Sequence, residues 1–364
     1  MDFYIFILFV VVLILLLSNT ILDKQLRKKI ACSFSFVLLF CVSAFRENTV
    51  GGDLQRYLPT YYGVASCTWS QIFTDYGTIW WASEPGFRVI QKAMSFISLS
   101  DYFYIFFTSA IVLSLVYYSI YKYSENVQIS IFIFVAVMYT SSFNIIRASI
   151  CIGLCLLAFT YIKRRLLLPY TLIILIAFSI QKTSLLFYPA YFLYNLNYRP
   201  KFIVCIMILN MGLSYFVKGS TIAGIVNNYT IIYELDSSSD LLNSQSVGLT
   251  AMGAFLTILT FYLMRFYKRL RKKDVLCEFY IVMLAVAAII QYYSSIFQLL
   301  NRISYFYYCY LIFIIPYIHY LSKPSDSRKI FLFVIFILFF VLFFNGLNSD
   351  GNMIIPYKSY LVFN

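Results

Sequence analysis

Charge is scarce in this chain. Only 12% of its 364 residues are Asp, Glu, Lys or Arg, against about 25% in soluble domains, while 62% are hydrophobic. So much apolar surface exceeds what a water-soluble core can hide, and lipid is the expected solvent. Histidine is almost missing. The single one, His319, falls late in an apolar run, so serine-histidine or zinc-histidine chemistry is hard to assemble. No Gly-Lys-Ser/Thr phosphate loop occurs, which argues against ATP hydrolysis by the chain itself. The eight cysteines lie in apolar runs, except Cys67 in a loop; this suits small core hydrophobes better than a disulfide framework or a metal site, and no metal is expected. No internal repeat or low-complexity segment is visible.

What is present is a series of apolar runs of roughly 16 to 20 residues, the length that crosses about 30 Å of hydrocarbon as helix. The expected fold is all-α: a polytopic membrane protein of about twelve transmembrane helices forming a single integral domain over 1–364. Spans are expected near 3–18, 30–45, 102–120, 128–144, 146–162, 166–180, 184–196, 202–217, 249–266, 277–297, 303–321 and 330–346. The run Phe3 to Leu17 lacks a basic segment before it and a cleavage site after it, and reads as a first span, not a signal peptide.

The connections alternate in charge. One set holds nineteen Lys or Arg residues; the other holds nine, set against ten acidic residues. By the positive-inside rule the first set is cytoplasmic. Both termini then lie outside, with long outer loops at about 46–101 and 218–248. The basic charge is spread over short connections, so nucleic acid is not an expected partner. Tyr292, Tyr293, Trp80 and Trp81 suit interfacial belts.

The sparse outer charges are the informative ones. Arg147, Lys182 and Arg302 each sit in a tight turn between apolar runs, where a cation is costly. They could snorkel to lipid phosphates. Three together on one charge-poor side favour an anion site, and a guanidinium suits phosphate. In the first outer loop, Gly51-Gly52-Asp53 precedes Arg56, Tyr57, Tyr61 and Tyr62. Asp53 and Arg56, three residues apart, share a helical face. They read either as a capped helix with an ion pair or as a site in which Asp53 accepts a proton, Arg56 binds phosphate and tyrosines stack on sugars. Further on, Glu84-Pro85-Gly86-Phe87-Arg88 opens an amphipathic stretch running to about Ser100, expected along the outer interface, with Glu84 and Arg88 paired.

Taken in order, Gly52-Asp53, Arg56-Tyr57, Tyr61, Glu84-Pro85-Gly86-Phe87, Arg147-Ala148-Ser149, Lys182-Thr183-Ser184, Arg302 with Tyr305-Phe306, and Ile355-Pro356-Tyr357-Lys358 resemble the EpsG-like branch of bacterial Wzy polysaccharide polymerases. The resemblance implies a multi-pass enzyme of the bacterial inner membrane. Such an enzyme transfers an undecaprenyl pyrophosphate-linked glycan, on the periplasmic side, to another lipid-linked repeat unit, building O-antigen or a related surface polysaccharide. No cofactor, nucleotide sugar or metal is implied. The partners are the lipid-linked glycans, membrane lipid, and a chain-length regulator and flippase. Asp53, Arg147 and Arg302 are the expected catalytic residues, and Arg56, Tyr57, Arg88, Lys182 and Tyr305 the expected substrate-binding ones. Relatives often carry His-Lys-Ser/Thr where this chain has Gln181-Lys182-Thr183, so a histidine's role does not transfer. The alternative class is a flippase or transporter of lipid-linked saccharides, which would place charges throughout the helix centres; here they collect at the ends.

Overall fold

The structure, a computed structural model, describes residues 1–74, 84–194, 199–216, 250–265, 267, 276–295, 299–321, 326–348 and 353–361, with backbone alone at 299, 326–328 and 331. Trp80, Trp81, Lys218, the second loop at 218–248, most of the basic connection at 265–274 and residues 322–325 lie outside the described residues. Among the described residues the chain is all-helical, with one isolated antiparallel bridge between Arg46 and Ser359. Two compact units divide it: Met1–Leu157 with Ser179–Gln181 and Leu311–Asn364, and Ala158–Phe178 with Lys182–Tyr310.

The helices are α1 (Asp2–Ser18), α2 (Lys24–Ala44), α3 (Leu54–Ser66), α4 (Trp69–Thr74), α5 (Pro85–Ser95), α6 (Asp101–Tyr123), α7 (Val127–Phe134), α8 (Ile146–Arg164), α9 (Leu167–Ile180), α10 (Ala190–Leu193), α11 (Pro200–Phe216), α12 (Ala251–Arg265), α13 (Leu276–Tyr292), α14 (Leu299–Tyr308), α15 (Leu311–Leu321) and α16 (Asp326–Leu347). Several start where a short polar side chain satisfies the first free amides. Asp23 accepts from Leu26 N at 2.7 Å, Ser100 from Phe103 N at 3.2 Å and Asn126 from Ile129 N at 3.1 Å. By length and composition α6 and α8 could cross a membrane, and seven shorter helical segments are apolar too. Large side chains such as Phe6, Phe9, Leu172, Leu209 and Phe333 stay exposed on them. That surface is compatible with a membrane protein and unsuited to water.

Three expected spans are not single α-helices. Residues 128–144 run as α7, then a π-helical turn at Val135–Tyr139, then a 3-10 turn at Ser141–Phe143. The described part of the span expected at 184–196 falls in a 3-10 helix, Lys182–Phe187, and the short α10, which starts just after Pro189. Proline has no amide to continue a helix and disfavours helical backbone before it. Residues 303–321 divide into α14 and α15 at Cys309 and Tyr310. Within α15, Pro316 leaves the carbonyl of Ile312 without its helical donor, and the Ser130 hydroxyl donates to that carbonyl at 2.5 Å. Hydropathy does not register the break at Cys309 and Tyr310, which are flanked by apolar residues on both sides, whereas Ser141, Ser142 and Asn144 mark the first break in the sequence.

In the first unit α2 packs on α1, α6 and α7, and α15 packs on α7. Hydroxyls stitch this packing: Tyr139 donates to the backbone Leu39 O at 2.7 Å and Tyr117 to the Ser35 hydroxyl Oγ at 3.1 Å. A strap at 353–361 crosses their ends. Gly51 N donates to Met353 O at 3.0 Å, Glu47 N to Lys358 O at 3.0 Å and Tyr360 N to Phe45 O at 3.0 Å, while the ring of Tyr357 stacks on Phe3 at 3.9 Å. In the second unit α13 is central, packed by α10, α11, α12 and α14. Tyr292, expected at an interface, is buried on α13 with its hydroxyl 2.8 Å from that of Thr257. Tyr293 is half-buried and donates to Asn210 Oδ1 at 3.2 Å.

Candidate functional site

The described residues of 46–101 are mostly helix, and the way they are bolted down sets the site. Gly51 has φ +109°, a left-handed conformation that favours glycine, and an added Cβ would lie 2.7 Å from the Phe143 carbonyl oxygen. This close approach lays the start of α3 against the segment that leads into Arg147. Asp53 follows as the N-cap of α3, half-buried; its side chain makes no capping bond, but its carbonyl accepts from Arg56 N at 3.0 Å and Tyr57 N at 3.1 Å. Arg56 is exposed and Tyr57 half-buried.

Helix α5 packs along α3. Lys92 caps the carboxyl end of α3 with bonds to Ala65 O at 2.8 Å and Cys67 O at 2.7 Å, and Gln91 donates to Tyr57 O at 3.4 Å. The amphipathic face expected at an interface is therefore directed inward: Phe87, Arg88, Gln91, Lys92 and Met94 are buried. At its start, a Cβ on Gly86 would come 2.7 Å from the Ser179 carbonyl oxygen. Only glycine lets the chain pass so close, and this passage fixes Glu84 beside α8.

Arg147, the second residue of α8, meets three groups there. Its Nη1 lies 2.5 Å from Glu84 Oε2. Its guanidinium lies 5.6 Å from the ring centre of Tyr57 and 6.0 Å from that of Phe87, and those two rings are 5.8 Å apart. Glu84 is thus paired across to another helix, to an arginine 63 positions on in the chain. The Glu84 side chain is 3% exposed and that of Arg147 is 22% exposed. The acid is sealed in and the base looks out. Aromatic rings and a buried acid hold the guanidinium in one place while part of it stays open, the arrangement needed to receive an anion.

A second arginine lies in the same unit. Arg46 is 1% exposed, its guanidinium 4.5 Å from the ring centre of Phe143. Nη1 donates to Ser43 O at 2.5 Å, Ser43 Oγ at 3.0 Å and Ser109 Oγ at 3.2 Å, and Nε to Val50 O at 3.3 Å. Burial pulls its pKa down to about 10, opposed by surrounding tyrosines, so it stays charged at neutral pH. The sequence shows it only as one outer charge among nine; its burial had no signal there.

Lys182, Arg302 and Tyr305 belong to the second unit. The 3-10 turn that Lys182 opens packs against α14, which carries Arg302 and Tyr305. Tyr307 of α14 donates to Leu186 O at 2.5 Å, and its ring lies 5.5 Å from Phe187. Lys182 is half-buried and Arg302 exposed, while Tyr305 is buried with its ring 4.6 Å from Tyr308. Beside Arg302, Asn301 accepts from Gln291 at 2.7 Å, and Gln291, buried on α13, accepts from Thr250 at 2.9 Å and Ser294 at 2.9 Å. A lone glutamine in the apolar run 276–292 was the available sign of this network.

No curated protein and no solved structure matches the chain. The model of the EpsG family matches it over residues 29–359, a stretch that takes in Arg46, the α3–α5 pair, Arg147, Lys182, Arg302 and most of the strap. On that match across most of its length, the chain belongs to the EpsG family.

Proposed function

We propose that this protein is a membrane glycosyltransferase of the inner membrane that polymerises undecaprenyl pyrophosphate-linked repeat units into a surface polysaccharide. The reading places residues 46–101 and both termini on the periplasmic side of about twelve spans in one membrane domain. The observation that carries it is the partly open guanidinium of Arg147, fixed by Glu84 and flanked by Tyr57 and Phe87.

In the reaction a hydroxyl of the acceptor glycan attacks the anomeric carbon of the donor. The bond from that carbon to the pyrophosphate oxygen breaks, and the electron pair leaves with undecaprenyl pyrophosphate. The hydroxyl proton passes to a base, assigned to Asp53 at the start of α3. Charge grows on the leaving oxygen in the transition state, so a guanidinium already in position lowers the barrier without reorganising. Arg56 adds a weaker, solvent-screened attraction. On the resemblance, Arg302 enters beside Arg147 as a second catalytic guanidinium for the leaving pyrophosphate, and Arg88, Lys182 and Tyr305 enter as substrate-binding residues.

The test uses purified protein and lipid-linked repeat units with no added nucleotide. Wild type should extend chains, and Arg147→Ala should lose at least about a hundredfold in rate, roughly 2.7 kcal/mol. If wild type makes no polymer while cells lacking the protein fail to bring any repeat unit to the periplasm, transport of lipid-linked saccharides becomes the better account.

A further inference from the structure

Outside the Arg147 cluster, four pieces of the first unit meet in a closed circuit. Tyr62, on α3, donates its hydroxyl to Asp101 Oδ1 in a short bond. Asn48 donates through Nδ2 to Asp101 Oδ2 at 2.7 Å, and its backbone N donates to Tyr360 Oη at 3.0 Å. The ring of Tyr360, on the strap, lies 3.6 Å from that of Tyr102, the neighbour of Asp101 on α6. Tyr61 ties the same helix to the turn before α6 by donating to Ser98 O. The circuit is held from every side, yet its rings are open: Tyr62 is 44% and Tyr102 53% exposed.

We propose that this circuit is a carbohydrate subsite that binds an uncharged sugar of the repeat unit through the rings of Tyr62 and Tyr102 and the carboxylate of Asp101; it rests on the reading of the protein as a glycan polymerase. A pyranose presents an apolar C–H face and a rim of hydroxyls. It is bound by a flat ring with a planar acceptor fixed beside it. Both Asp101 oxygens are already held by donors, which fixes the carboxylate plane, and each keeps a further lone pair for a sugar hydroxyl. The circuit contains a carboxylate and no cation, so it disfavours phosphate. Arg147 disfavours nothing anionic. The two sites therefore divide a lipid-linked glycan by chemistry, with charge at one and hydroxyls at the other. Along α3, Tyr62 lies five residues beyond Tyr57, roughly 7.5 Å of helical rise.

A membrane-interface belt is the competing reading of exposed tyrosines. It requires rings and hydroxyls but gives no role to the Asn48–Asp101–Tyr62 chain of bonds.

The experiment uses the full-length protein in nanodiscs. The probe is the lipid-free repeat-unit oligosaccharide released from the host's own polysaccharide, with binding followed by saturation-transfer NMR. Tyr102→Ala and Asp101→Asn should each weaken binding at least about tenfold. Tyr118→Ala, which removes another exposed tyrosine of α6, should leave it unchanged. Asp101→Asn preserves shape, so it serves if Tyr102→Ala lowers the melting temperature. Failure of wild type to bind, or equal binding by wild type, Tyr102→Ala and Asp101→Asn, overturns the subsite. Binding that responds to these variants in a protein that extends no chains supports the subsite and refutes the polymerase. Chain extension with no response to the variants leaves the polymerase standing and removes the subsite.

Discussion

Arg46 and Arg147 follow similar rules up to a point and then part. Both stand near the end of a helix in the first unit and both face aromatic rings, at 4.5 Å for Arg46 and 5.6 Å for Arg147. Arg46 is sealed, and carbonyl and hydroxyl oxygens of its own neighbourhood use its donors. Arg147 is partly open and held by one carboxylate. An arginine committed to backbone oxygens cannot serve a ligand without unfolding its surroundings. An arginine positioned by a buried acid can accept a second anion on its open side. The same residue type is a clamp in one place and a receptor in the other, and accessibility decides which.

The comparison breaks most visibly at the clamp. Arg46→Met should cost about 3 kcal/mol or more of stability, because it leaves the Ser43 and Val50 carbonyls buried without a donor. A melting curve of the purified protein checks this, and a loss below about 1 kcal/mol would show that Arg46 is not a clamp. A smaller effect is expected at Glu84. Glu84→Gln keeps the shape and an acceptor for Arg147 but removes the charge that holds it. Chain extension should fall about tenfold, roughly 1.4 kcal/mol, with the melting temperature little changed. Equal losses in stability and rate would place Glu84 with Arg46 among structural groups. The smallest effect belongs to Arg56, which is exposed on α3: Arg56→Ala should slow extension by no more than about threefold, an effect that added salt erases. A salt-insensitive loss larger than that would move Arg56 into the enclosed site.

Tyr62 offers a gentler probe of the same first unit by pH. Desolvation at its hydroxyl first, and then the bond to Asp101, push its phenol up to about 12, although the residue is 44% exposed. A raised tyrosine pKa means that the folded state holds the proton more tightly than the unfolded chain. Stability is then complete below the ordinary value near 10 and declines as pH rises toward 12. Tyr62→Phe should flatten that decline.

The arginine and lysine positions were legible in the sequence because a charge surrounded by apolar residues is conspicuous. Arg147, Lys182 and Arg302 could be singled out on that ground alone. The partner of Arg147 could not. Glu84 lies 63 positions earlier in the chain, and local spacing pointed to Arg88 instead. The tight approaches of Gly51 to Phe143 and of Gly86 to Ser179 both depend on contacts between distant segments.

Composition and hydropathy by themselves determined that the chain is helical and apolar, since period and transfer free energy are properties of short stretches. They also determined where its rare cations fall. Only the tertiary structure decided which helices break, because a backbone carbonyl freed by Pro316 or a turn at Tyr310 is a hydrogen-bonding matter that hydropathy does not register. Only it decided which arginine is sealed and which is open, because burial is set by neighbours that the chain brings together from far apart.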